Sequence, residues 1–192
     1  TVIYGYVLKN NYLPCPDCID NDAGCAAATA NDGQEDRTAG VCDVLDGTDV
    51  VGNLPWVTLG VNGTDEWNNI FTYQVDSEYA DTIDGTPLQT DCIGLSVTLN
   101  VSFSLCSIGD IAVLDSAGGA TVATEIPAII VSHGKNSSDN APSADELENT
   151  DANGTYVDKV YSSAAGTEFD DMLLWISPHV LRTMSVNGGI LP

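Results

Sequence analysis

The sequence predicts an α+β fold, with an antiparallel β-sheet, long disulfide-stapled loops and a short C-terminal helix. Three observations carry this. From residue 54 onward, apolar residues recur with the period of two that suits strands wet on one face. Near the end, Ser177 stands as an N-cap before Pro178, with Val180, Leu181 and Met184 on one helical face and Gly188 as the stop. Six cysteines, four of them inside 15–42, punctuate a stretch with almost no apolar periodicity.

Taken in order, residues 1–11 suit a helix with Val2, Ile3, Tyr6 and Val7 on one face, or equally a β-branched, aromatic strand. Pro14 and Pro16 end the element either way. Residues 15–50 are rich in Cys, Asp, Asn and Gly and read as a long loop that only crosslinks or a bound ion would order. In 70–75, Phe71, Tyr73 and Val75 alternate with Thr72 and Gln74. The clearest alternation, Ile93, Leu95, Val97, Leu99, Val101, Phe103 and Leu105, predicts a strand or a bent pair of strands over 93–105. Along one straight strand Cys92 and Cys106 would stand roughly 46 Å apart at about 3.3 Å per residue, so bonding them to each other requires a turn or a bulge. Gly109-Asp110 and Gly118-Gly119 read as turns into strands at 111–114 and 121–131. Within the latter, Pro127–Val131 is apolar throughout, as in a central strand or a buried helical turn. Residues 132–155 form a polar, acidic, Asn-rich loop of a length that is normally functional or mobile. Met172–Ile176 is a short apolar strand. No internal repeat occurs, and 192 residues fit one domain.

Charge narrows the function. With 28 acidic and 5 basic residues the formal charge is −23, which repels phosphate backbones and excludes nucleic acid as a partner. Divalent cations and basic patches are the natural counterparts. No stretch reaches the ~18–20 apolar residues of a membrane helix. The chain starts at Thr1 without Met, as a processed or shortened piece would. The even set Cys15, Cys18, Cys25, Cys42, Cys92 and Cys106 indicates disulfides formed outside the cytosol, with the connectivity open. The rival, a zinc site at Cys15-Pro16-Asp17-Cys18, lacks a second CxxC knuckle. Four sequons, at Asn62, Asn100, Asn136 and Asn153, fit an exported, glycosylated protein.

A catalytic centre is not expected. His133 lies in Ser132-His133-Gly134-Lys135-Asn136, but a phosphate loop needs glycine where Ile129 stands, and His179 suits a helix surface. Asp46-Gly47-Thr48 and Asp84-Gly85-Thr86 read as turns. Calcium is the better ligand: Asp17, Asp20, Asp22, Asp32, Glu35 and Asp36 crowd hard oxygens into the cysteine loop, although not in EF-hand register.

Five phrases then stand out together. They are Leu13-Pro14-Cys15-Pro16-Asp17, the run 52–60 (GNLPWVTLG), Asp65-Glu66-Trp67-Asn68-Asn69 leading into 71–75, the run 127–136 (PAIIVSHGKN), and 169–178 (FDDMLLWISP). In this order, across nearly the whole chain, they resemble the globular domain of type IV pilin-like proteins, which include pseudopilins and other prepilin-type proteins. The resemblance implies that residues 1–12 are the C-terminal end of the pilin-type N-terminal helix, packed on the sheet of a globular β-rich domain over 13–192. It implies a structural subunit of an extracellular type IV pilus-like filament or secretion pseudopilus, at the cell surface or facing the periplasm, partnered by copies of itself or related pilins. Membrane contact would come only through the apolar half of that helix, which these residues do not include. Trp56, Trp67 and Trp175 fall inside the shared phrases and are expected to serve as core and sheet-packing residues, ahead of the alternative of an exposed aromatic binding platform. The Cys- and Asp-rich 15–50 segment departs from the pattern and suggests an extra crosslinked or metal-bound loop. The alternative function is a calcium-dependent adhesive or binding module of the cell surface.

Overall fold

The N-terminal segment, balanced between helix and strand by its residues alone, is a helix. In chain order the elements are α1 (Val2–Asn10), β1 (Arg37–Thr38), β2 (Val41–Cys42), β3 (Val50–Asn53), α2 (Trp56–Leu59), β4 (Thr72–Val75), α3 (Ser77–Ala80), β5 (Ile111–Leu114), β6 (Thr121–Ile126), β7 (Ala128–Ser132), α4 (Ala144–Glu148), β8 (Thr155–Val157), β9 (Met172–Trp175) and α5 (Pro178–Asn187). This computed structural model describes residues 2–19, 25, 30–43, 50–82, 92, 100–137 and 142–192. α1 ends where Asn11 turns left-handed at φ 71° and donates its N–H to the Val7 carbonyl at 2.7 Å.

The main sheet is antiparallel throughout, in the order β3-β4-β7-β9. Its register sets Tyr73 opposite Ile130, and Ile130 opposite Leu174. The pleat therefore sends Tyr73, Val75 and Ala128 to one face, where they join Ile3 and Val7 of α1, Leu181 of α5, Leu13, Tyr79 and Phe103 in one core. The opposite face carries Ile129 and Val131 into a second core with Ile111, Val113, Ile126 and Tyr156 of a three-stranded sheet, β6-β5-β8. Helices, main sheet and small sheet thus form three layers around two cores. Each buried tyrosine finds an acceptor: Tyr73 donates to the Pro14 carbonyl (3.2 Å), Tyr79 to that of Ser107 (2.8 Å) and Tyr156 to Gln74 Oε1 (2.6 Å).

The α+β class and the antiparallel main sheet match the sequence, and β5–β8 is the one parallel pair among the named strands. Four expectations need correcting. The straight-strand reading of 93–105 is ruled out, because Cys92 bonds Cys106 at a Cα separation of 5.5 Å, which a straight run cannot bring about. Residues 93–99 lie outside the described residues, and 100–105 form no strand, with Asn100 left-handed at φ 66°. The stretch 121–131 is two strands in two different sheets, because Pro127 has no N–H to carry a ladder onward. The loop 132–155 contains α4, closed by a capping box in which Ser143 accepts from Glu146 N and Glu146 Oε2 accepts from Ser143 N. The loop 15–50 contains the β1–β2 hairpin, and its last residue already opens β3. The turns expected at 46–48 and 84–86 lie outside the described residues.

Candidate functional site

All six cysteines are paired, as Cys15–Cys42, Cys18–Cys25 and Cys92–Cys106. Cys15 and Cys18 of the CxxC therefore serve different crosslinks. Three disulfides point to an oxidising, non-cytoplasmic environment. No described helix is long and apolar enough to cross a membrane.

The stapled loop closes on a clamp centred on Glu35. Its Oε1 accepts from Tyr6 of α1 at 2.5 Å, and Oε2 accepts from Cys15 N and from Arg37 Nη2. Arg37 also donates to the carbonyls of Ala80 (2.6 Å) and Gly40 and stacks 4.3 Å from the Tyr12 ring centre. One half-buried ion pair thus ties α1, the loop and α3 together. Burial first, then Glu35, push the Tyr6 hydroxyl well above its ordinary pKa, so it stays a donor.

The other described calcium candidates, Asp17, Asp32 and Asp36, also accept hydrogen bonds from the protein itself. Asp36 Oδ2 accepts from Cys18 N at 2.8 Å, and Asp32 takes the Gln34 backbone and side-chain N–H groups. Asp17 is fully buried beside the bridge it forms with Asn53, and its Oδ2 accepts from Gly33 N at 3.1 Å. Burial, reinforced by Asp36 and Asp32, raises its pKa to about 6. Asp20 and Asp22 lie outside the described residues. Among the described residues, no group of three or more His, Cys, Asp and Glu is placed to hold a metal ion.

Gly33 lets the loop approach α2 closely. It sits at φ +78°, its carbonyl accepts from Val57 and Thr58, and a Cβ there would run into the Trp56 ring. Gly33→Ala is therefore expected to cost about 2–4 kcal/mol and lower the melting temperature by about 5–15 °C, read by circular dichroism.

A second polar cluster joins the ends of β4 and β7. Ser132 donates to Asp65 Oδ2 at 2.8 Å, while His133 Nε2 meets Thr72 Oγ1 at 2.8 Å. The serine hydroxyl is thus spent on the carboxylate and is not presented to the neighbouring histidine. His133 Nδ1 is buried without a partner, so no third group orients the ring, and burial lowers the histidine pKa. A nucleophile–base pair oriented by a third group, as acyl transfer needs, is not assembled here. His179 lies exposed on α5. Of the sequon asparagines, Asn62, Asn100 and Asn153 are exposed, whereas Asn136 is half-buried and donates to Glu146 Oε1.

Two surfaces stand out beyond these clusters. Where the first turn of α1 meets the outer strand β9, Val2, Ile3, Tyr4, Met172, Leu174 and Trp175 line a groove of about 430 Å³. β9 has β7 as its only named ladder partner, and Met172 and Leu174 are 55% and 64% exposed. The second surface involves Trp67, which is 44% exposed and not in the core as expected, whereas Trp56 and Trp175 are half-buried. No protein-family model, no curated protein and no solved structure matches the chain.

Proposed function

We propose that the chain is a structural subunit of an extracellular type IV pilus-like filament or secretion pseudopilus, held to its neighbours by protein–protein contacts. The observation that carries this is the apolar groove between α1 and β9, whose only partner among the named strands is β7. On a chain of charge −23, exposed Val2, Met172 and Leu174 on one side of the molecule gain about 25 cal/mol for each Å² taken out of water, and a neighbouring subunit's apolar helix would cover them. The three disulfides suit a part that must hold its shape outside the cell. No reaction is assigned to it.

The test is the coding sequence upstream of the Thr1 codon. The expected result is a Gly-Phe-Thr-Leu-type leader followed by an apolar stretch of about 20 residues, and a secretory signal peptide directly before Thr1 overturns the proposal. A second arm uses Leu174→Asp, at an exposed position that leaves the melting temperature within about 2 °C. This variant should be lost from the filament fraction sheared off producing cells; undiminished incorporation would move the interface elsewhere.

A further inference from the structure

Trp67 and Tyr161, from two different loops, line one hollow of about 560 Å³ beside the start of β9. Both rings are unusually open to solvent, Trp67 at 44% and Tyr161 at 69%. Their supports are nonetheless firmly fixed. Trp67 N donates to Asp65 Oδ1 at 2.9 Å, and the same carboxylate gathers Asn69 N, Asn69 Nδ2 and Ser132 Oγ. Asn69 also donates to the Gly134 carbonyl, and Lys135 N to Asp170 Oδ2 at 2.9 Å. Across the hollow, Lys159 is ion-paired with Asp145 and lies 5.0 Å from the Phe169 ring centre, while Ser162 and Phe169 exchange backbone hydrogen bonds at 2.9 and 2.8 Å. Two exposed aromatic faces on preorganised turns are the anatomy of a recognition surface.

The charge around the rings selects the ligand class. Lys135 and Lys159 are two of only five basic residues in the chain, and they line the hollow with Asp158, Asp170 and Asp171. Burial, with Glu146 and Asp170 nearby, raises the Asp171 pKa to about 7, which lessens the negative charge that the hollow presents. A polyanion meets the carboxylates, and a cation meets the lysines. A neutral polyol satisfies both, since each hydroxyl donates to a carboxylate and accepts from an ammonium. A pyranose adds an apolar C–H face that covers an aromatic ring, and the hollow has the volume of a small-molecule site. We propose that this hollow is a saccharide-binding site, which takes a neutral pyranose against Trp67 and Tyr161 with its hydroxyls on Asp158 and Lys135. The inference does not rest on the filament reading, although the hollow shares Met172 and Leu173 with the apolar groove.

The experiment is saturation-transfer difference NMR and calorimetry on the intact chain. The probes are the methyl glycosides of glucose, galactose, mannose and N-acetylglucosamine, with choline and inorganic phosphate as charged probes. At least one glycoside should bind with a Kd of about 1 mM. Trp67→Ala and Tyr161→Ala should each weaken it about tenfold or more, Trp67→Phe should weaken it less, and Val122→Ala, at an exposed apolar site on β6, should leave it unchanged. Should Trp67→Ala fail to fold, Tyr161→Ala and Trp67→Phe still decide the matter. No transfer from any glycoside at about 20 mM, transfer that survives both alanine substitutions, or binding of choline or phosphate in place of glycosides overturns the proposal.

Discussion

Replacing Cys15 and Cys42 together by alanine is expected to lower the melting temperature by about 10 °C. The two residues are 27 apart in sequence, and closing a loop of that size in the unfolded chain is worth about 3.5 kcal/mol on the chain-entropy estimate. For a chain of this length each kcal/mol moves the midpoint by about 2–4 °C. The native state loses as well, because both half-cystines are buried in the α1 core and their backbone N–H groups are held by carboxylates, Cys15 by Glu35 and Cys42 by Asp81. Removing the bridge loosens the Glu35–Arg37 clamp from both sides. Cys92–Cys106 and Cys18–Cys25 span 14 and 7 residues and should cost progressively less. Three double-alanine variants melted at a fixed scan rate test the ranking. A fall of less than about 3 °C for the first pair would show that it adds little to the clamp.

The elements legible in the sequence were those whose signal is local. The alternation of Tyr73 and Val75 with Thr72 and Gln74 marks β4 as a strand, although its second face is covered too, with Gln74 buried and accepting from Tyr156. Ser177-Pro178 fixes the start of α5 wherever the helix then packs. α4 was legible too, since Ser143 followed by Glu146 is a capping box, but the surrounding Asp and Asn run disguised it as plain loop. Of the two readings of the 93–105 alternation the disulfide excludes only the straight strand, because period two reports burial and not straightness. Val101 and Phe103 are indeed buried, yet Leu105 is 48% exposed and the disulfide turns the chain back. The parting of β6 from β7 is a tertiary choice. Pro127 marks the break, but nothing local says that Ile126 and Ala128 belong to different sheets.

The candidate sites divide in the same way. Cysteine number and sign of charge announced a crosslinked acidic loop, but pairing depends on which strands the loop lies beside. Cys42 reaches Cys15 because β2 lies next to α3, where Asp81 holds the Cys42 N–H. The carboxylates that composition offers as cation ligands are, where described, acceptors for N–H and O–H groups of the protein itself. Asp36 serves Cys18, and Glu35 serves Tyr6, Cys15 and Arg37. Trp67 could not be placed from its neighbours, because the phrase around it fixes the turn and not the direction of the ring.

Acidification from pH 8 to pH 5.5 is expected to raise the melting temperature by about 5–10 °C. Asp76 and Asp171 have folded pKa values of about 7 and Asp17 of about 6, in each case chiefly because burial penalises the carboxylate, and nearby acidic side chains reinforce the shift. Unfolded, all three titrate near 4. Their folded values exceed their unfolded ones, so the native chain binds more protons between about pH 4 and 7. Their stability is fully present below that window and is lost as pH rises through it. Asp81 and Asp110 are raised by burial and act with the same sign. His133 opposes them: burial lowers its pKa, so its contribution is lost as pH falls below about 6.5. Asp65 and Asp145, held low by hydrogen bonds and in the second case also by Lys159, lose their contribution only below about pH 4, outside the range. Five carboxylates therefore outweigh one histidine, and relief of the −23 self-repulsion adds to them. The decisive variant is Asp171→Asn. Its retained carbonyl can still accept from Asn149 Nδ2, now at 2.7 Å from Asp171 Oδ2, so the change removes a charge from between Glu146 and Asp170 while sparing that hydrogen bond. It should raise the midpoint at pH 8, leave it within about 2 °C at pH 5.5, and flatten the slope between. A wild-type midpoint that falls on acidification, or an Asp171→Asn chain that melts earlier at pH 8, would show that these carboxylates are held ionised by the fold.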